Sequence, residues 1–163
     1  MLSKKLKYLE YLNKYPDCPP QNFKEVSRVS FRWIIAADHP NNFTPLNLGQ
    51  EPPARMLDET DKMCKGYGLS FFDSLDNAFE RYKSLYQKKR QHQREQFKED
   101  KGTLIGEIKI DKADGIANEP DVYNYGHFTF HEYNDTNLNS KPANITNIFE
   151  QDGESFNRTF AGC

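Results

Sequence analysis

The stretch Gly66-Tyr67-Gly68-Leu69-Ser70-Phe71-Phe72-Asp73-Ser74-Leu75-Asp76-Asn77-Ala78 decides how this chain folds. Gly66 and Gly68 permit backbone angles closed to other residues, and they let another chain or a ligand approach closely, as at the mouth of a cleft. Leu69 to Phe72 is a short apolar strand. Asp73 and Ser74 are both good helix N-caps, and Asp76 puts a carboxylate in the first helical turn, where the helix dipole favours it. Strand, cap and helix therefore follow one another with almost no loop. This predicts that Ser70 lies close to the N–H groups of a helix N-terminus, a place where anions and nucleotides are commonly held.

Downstream, Leu75, Ala78, Phe79, Tyr82, Leu85 and Tyr86 form one apolar stripe that packs the helix on a sheet. Lys88 to Arg94 is basic but lacks interleaved aromatics, so it reads as a solvated helix end rather than a nucleic-acid contact. Gly102 to Ile110 is the next strand, and Asp111 to Pro120 a turn and loop. Gly126 to Tyr133 alternates again, with His127, Thr129, His131 and Tyr133 on one face and Phe128 and Phe130 on the other. His127 and His131 stand roughly 13 Å apart at strand rise, too far to chelate one metal together. Each is either a ligand-binding or proton-transferring imidazole or a histidine bonded to water or a backbone carbonyl. Beyond Asn134 the polar composition predicts an irregular tail laid over the domain.

Upstream, Leu2, Leu6, Leu9 and Leu12 fall at helical spacing, which predicts an amphipathic N-terminal helix over residues 1–15 ended by Pro16. Val29, Phe31, Trp33 and Ile35 alternate with Ser30, Arg32, Ile34 and Ala36, a strand with one strongly buried face. Arg32 projects from the other face, either as a surface arginine paired with a carboxylate or as a guanidinium at a cleft floor, shaped to grip phosphate or ribose oxygens. Residues 39–65 read as a long working loop or lid with a short helix over Asp58 to Cys64, and Tyr67 at its exit is placed to cover a ligand.

With 163 residues the chain has the size of one domain. Its 12 Phe and 9 Tyr predict an aromatic-rich core. Lys plus Arg number 22 against 24 Asp plus Glu, a balance without global attraction to nucleic acid or anionic membrane, so neither is an expected partner. Cys18, Cys64 and Cys163 have no metal-ligand spacing and leave one thiol unpaired, which points to a reducing cytoplasm without a disulfide framework. No signal-peptide pattern follows Met1, and no apolar run reaches membrane-spanning length.

Two of these pieces resemble one family. The segment Gly66 to Ser74 followed by Ala78 is similar to the glycine-flanked second motif of the poly(ADP-ribose) polymerase-like and toxin-like ADP-ribosyltransferases. Leu104 to Ile110 resembles the strand that follows it there, and Phe31-Arg32-Trp33 sits where that family has its first motif residue, His or Arg. The resemblance covers about Phe31 to Ile110. It implies an α+β domain with a split, twisted, mostly antiparallel sheet around a cleft for NAD, held as substrate without a metal, and lined by Arg32, Tyr67, Gly68 and Ser70. It implies that the third motif residue, usually a glutamate bonding the nicotinamide ribose, falls on His127, with Glu132 the alternative. The expected function is an NAD-using transferase or glycohydrolase, as in a toxin or defence effector, with NAD or ADP-ribose as ligand. The rival expectations are a non-enzymatic interaction, accessory or immunity module with a protein partner, and an inactive nucleotide-binding relative.

Overall fold

The structure is a computed structural model that describes residues 4–150. In chain order it contains α1 (Leu9–Leu12), β1 (Arg28–Ile34), α2 (Leu46–Gly49), a 3-10 turn (Ala54–Met56), α3 (Thr60–Gly66), β2 (Leu69–Phe72), α4 (Leu75–Lys88), α5 (Gln91–Lys101), β3 (Leu104–Ile110), β4 (Gly115–Ala117), β5 (His127–Glu132), a second 3-10 turn (Leu138–Ser140) and β6 (Ala143–Asn147). The strands form one six-stranded sheet in the order β4-β5-β2-β1-β3-β6. Every pairing is antiparallel. The architecture is thus α+β in a single domain.

The strand-to-helix passage forms as its residues dictate. Ser74 is the N-cap of α4, accepting the Asn77 N–H at 3.1 Å, and Asp76 lies in the first turn. The helix lays Ala78, Tyr82 and Tyr86 against the sheet, where they cluster with Phe72 and Ile105 and with Phe97 of α5. Tyr82 is fully buried, edge-on to Trp33 at 5.3 Å, and its hydroxyl donates to the Gly102 carbonyl at 2.8 Å. The opposite face of the sheet carries the second cluster, with Leu69, Phe71, Ile108, Ile110, Phe128 and Phe130.

The sheet is unevenly stitched. β1 and β3 keep register from Arg28↔Ile110 to Ile34↔Leu104, and β2 and β5 from Leu69↔Phe130 to Phe72↔His127. Between these two blocks, β1 and β2 share a single pair, Phe31↔Phe72. The strands part beyond it, and the parting opens a cleft.

Several expectations need correction. The N-terminal helix shrinks to the single turn Leu9–Leu12, because Leu6 bridges to Tyr133 and the Lys7 N–H bonds the Glu132 carbonyl, continuing the sheet instead. Residues 1–3 and 151–163 lie outside the described residues. On β1, Ser30 and Ile34 are fully buried while Val29 is 45% exposed, the reverse of the alternation that apolar content suggested. The reason is that Ser30 stands in register with Ile108 on the face buried by the Leu69 and Phe71 cluster, while Val29 stands in register with the exposed Lys109. Residues 91–101 form a full helix although its burial rests on Phe97, and the loop after β3 contains β4. The supposed irregular tail supplies β6, which closes the sheet edge beside β3.

The cysteines are also corrected. Cys18 and Cys64 form a disulfide with their Cα atoms 5.7 Å apart. An odd cysteine count does not prevent one bond, and here α3 is brought against the N-terminal segment; Cys163 lies outside the described residues. The inference from unpaired cysteines to a reducing compartment loses its basis. No helix among the described residues is long and apolar enough to cross a membrane.

Candidate functional site

A cleft of about 440 Å³ opens where β1 and β2 diverge, within the range of roughly 300–1,000 Å³ usual for small-molecule sites. Its residues come from β1 (Arg32, Trp33), the long loop (Asn42, Thr44, Leu46, Met56), α3 (Lys62, Lys65), β2 and the residue before it (Gly68, Ser70, Phe72), α4 and α5 (Arg81, Lys101) and β5 (His127, Thr129).

Arg32 sits at the split. Its Nε donates to the Asn42 carbonyl at 2.8 Å and its Nη1 to the Ser70 carbonyl at 2.8 Å. The guanidinium lies 5.8 Å from the ring centres of Phe43 and Phe71. It replaces the ladder bonds that β1 and β2 fail to make, and it binds the long loop to the strand. Asn42 completes the joint: its Oδ1 accepts the Ile35 N–H at 2.8 Å and its Nδ2 donates to the Ala36 carbonyl at 2.6 Å. Among the described residues Arg32 has no carboxylate within ion-pair distance. Burial pulls the guanidinium down to about 10, with the distant Glu132 charge opposing, and it stays a cation at any physiological pH. A desolvated charge of this kind is costly unless it is hydrogen-bonded, and here two carbonyls and two aromatic rings surround it.

Ser70 and Thr129 face each other in register across β2 and β5, and Phe72 and His127 form the next pair along. All four line the cleft. The His127 ring packs edge-on to Phe72 at 5.6 Å. Its imidazole is lowered from the ordinary value, first by burial and then by the Lys65 and Arg81 charges, with Asp121 opposing. It is therefore neutral near pH 7 and able to accept a proton. Gly68 is required by contact: a Cβ there would stand 2.6 Å from the Thr129 methyl and 3.0 Å from His131 Cε1.

The structure brings Arg32, Gly68, Ser70 and His127 together, and it leaves two candidates elsewhere. Tyr67 is not among the cleft residues; it stacks on Tyr11 at 5.0 Å and leans on Tyr15 at 6.3 Å. Glu132 points from the opposite face of β5, where it is 4% exposed and pairs with Lys7 Nζ at 2.8 Å. Strand parity separates it from His127, since residues five apart face opposite sides. At the N-terminus of α4, Ser74 takes the Asn77 N–H of the first turn.

Five cations, Arg32, Lys62, Lys65, Arg81 and Lys101, line the cleft against one carboxylate, Asp100. Lys62 and Lys65 pair with Glu59, the N-cap residue of α3, and with Asp61, and the Arg81 guanidinium lies 5.5 Å from the Tyr125 ring centre. None of the lysines stood out in the sequence, because each sits among ordinary charged helix residues and only the tertiary fold brings it to the cleft. Thr129 was legible, sharing the alternation of His127. Among the described residues no group of three or more His, Cys, Asp or Glu is placed to hold a metal. Comparison with protein-family models, curated proteins and solved structures finds no match for this chain.

Proposed function

We propose that the protein binds NAD in this cleft and acts on it as an ADP-ribosyltransferase-like enzyme. The observation that carries the reading is the convergence of Arg32, Ser70 and His127, residues 38 and 57 positions apart in the chain, on one cationic hollow at the parting of β1 and β2. A dinucleotide brings a pyrophosphate, which suits an excess of cations, and ribose hydroxyls, which suit Ser70 and Thr129.

Cleavage of the nicotinamide–ribose bond leaves its electron pair on nicotinamide and positive charge on the ribose. An acceptor hydroxyl, amine or water then forms the new bond to that carbon and gives up its proton. His127, neutral and in the cleft, is the group to take it. Arg32 holds and orients the substrate, and Trp33 and Phe72 supply an apolar wall. Asp100 is the one carboxylate on the lining, and Glu132 is committed to Lys7, so the ribose charge is met by Ser70 and the cleft's oriented dipoles.

The test is calorimetry with NAD and ADP-ribose followed by a nicotinamide-release assay on the wild type and Ser70→Ala. Ser70 makes no hydrogen bond through its side chain among the described residues, so the variant keeps its melting temperature. Release is expected to fall about a hundredfold, the usual cost of one preorganised contact. Full release by Ser70→Ala refutes the assignment. The position of Glu132 favours a second reading, a nucleotide-binding protein without turnover, which binding without release would establish.

A further inference from the structure

The last turn of α5 is docked onto β1 by its own backbone. Gly102, just past Lys101, has φ +80° and lies so close to the Ile34 carbonyl that any Cβ would collide with it. Its N–H caps the helix through the Lys98 carbonyl at 2.8 Å, and its carbonyl is held by the Tyr82 hydroxyl at 2.8 Å. Ile34 is two residues beyond Arg32, so this dock fixes Lys101 at the same end of the cleft as the guanidinium.

Lys101 differs from its neighbours on α5. Lys98 pairs with Glu95 at 3.3 Å and covers the Phe149 ring. Lys101 has no ion pair among the described residues, and the adjacent Asp100 is bonded by Gln96 Nε2 at 2.8 Å. The Lys101 ammonium is lowered from its usual range chiefly by burial, with Arg32 and Lys89 adding repulsion and Asp100 opposing it. Two half-sheltered cations on separate elements therefore line one cleft, and among the described residues neither is ion-paired to a carboxylate.

We infer that Lys101 and Arg32 form the phosphate-binding end of the cleft, and that the ligand it takes carries a pyrophosphate or two adjacent phosphates. An anion between them offsets both desolvated charges at once. Arg32 keeps Nη2 free of the two carbonyl bonds it already makes, and Lys101 supplies a point charge that can follow the second phosphate. Lys101 is on this account a binding residue for the phosphates; the ribose and acceptor chemistry belongs to Ser70 and His127. The inference rests on the reading of the cleft as a nucleotide site, and the probes are chosen to separate the two.

The experiment titrates inorganic pyrophosphate, ADP-ribose and NAD into the wild type, Lys101→Met and Lys98→Met, with melting curves for each. Methionine keeps the aliphatic stem and removes the charge, and Lys98→Met removes a charge from the same turn without touching the cleft. Lys101→Met is expected to weaken pyrophosphate and ADP-ribose alike by roughly tenfold to a hundredfold, the range for one charge-assisted contact, while Lys98→Met binds as the wild type does. Wild-type binding is expected to weaken as salt is raised. If Lys101→Met binds all three probes normally, the phosphate assignment is overturned and the nucleotide reading survives. If the wild type binds pyrophosphate through Lys101 but neither nucleotide, the phosphate site stands and the NAD reading falls. If the wild type binds none of them, both fall.

Discussion

Two adjacent residues of β5 show how environment sets chemistry at single positions. His131 is 2% exposed, packed against Phe23 at 5.3 Å, and its Nε2 has no partner among the described residues. Burial holds its imidazole down to about 4, against 6.5 in an unfolded chain. The unfolded chain takes up the proton first, so the stability conferred by the neutral ring is complete above pH 6.5 and is lost as pH falls towards about 4. The full effect is roughly 3 kcal/mol. Glu132 works in the opposite sense: burial raises its carboxyl against the bond and charge of Lys7, so protonation on acidification relieves it. The His131 share is isolated by urea midpoints of the wild type and His131→Gln from pH 7 to 4. The wild-type advantage should shrink as pH falls; an advantage that is independent of pH contradicts the buried, neutral ring. Alternation made both histidines visible in the sequence, but it did not reveal that His127 would meet a cleft and His131 a packed interior. That difference comes from α3 and Phe23, which lie far away in the chain.

At the scale of elements, α3 shows how one wall of the cleft is held. It carries Lys62 and Lys65 to the lining, buries Met63 and Cys64, and leads through Gly66 and Tyr67 into β2. The Cys18–Cys64 bond and the stacking of Tyr67 on Tyr11 tie it to the N-terminal segment. That segment is itself anchored to β5 by Lys7 and Glu132. The cysteines are 46 positions apart, and closing a loop of that length stabilises by about 4 kcal/mol on the chain-entropy account. Guanidinium unfolding of the double variant Cys18→Ser, Cys64→Ser should show a loss of that order, and reductant should lower the wild type to the same midpoint while leaving the variant unmoved. Equal midpoints for oxidised and reduced wild type would mean that the bond contributes nothing. The pairing was out of reach of the sequence because it depends on where α3 packs. The turn from β2 into α4 was fully legible, since Ser74, Asp76 and the apolar stripe act within one or two turns of each other.

For the molecule as a whole, the decisive feature is a sheet in two blocks, β4-β5-β2 and β1-β3-β6, joined by one register pair and by the Arg32 guanidinium. Arg32 is therefore a joint of the sheet, and its removal cannot be silent for stability. Arg32→Met strands the Ser70 and Asn42 carbonyls, and unsatisfied groups of this kind cost about 1–3 kcal/mol each. Amide hydrogen exchange should show the β1–β2 junction and the Asn42 loop losing protection well before the β1–β3 ladder. Uniform loss across all six strands would argue against a two-block sheet. The same duty makes Ser70→Ala, not Arg32→Met, the cleaner test of the cleft.

By itself the sequence determined the strand at Leu69–Phe72, the capped helix after it, the strands around Arg32, Ile108 and His127, and the aromatic character of the core. These are short-range matters of side-chain period, capping and glycine geometry. Only the tertiary structure decided that β1 and β2 part after one pair, that β6 and the N-terminal segment complete the sheet, and that Lys101 and Lys65 reach the cleft rim while Glu132 and Tyr67 turn away. Those outcomes depend on which surfaces must be covered and which charges are left without partners once the whole chain has packed, and no local pattern records that.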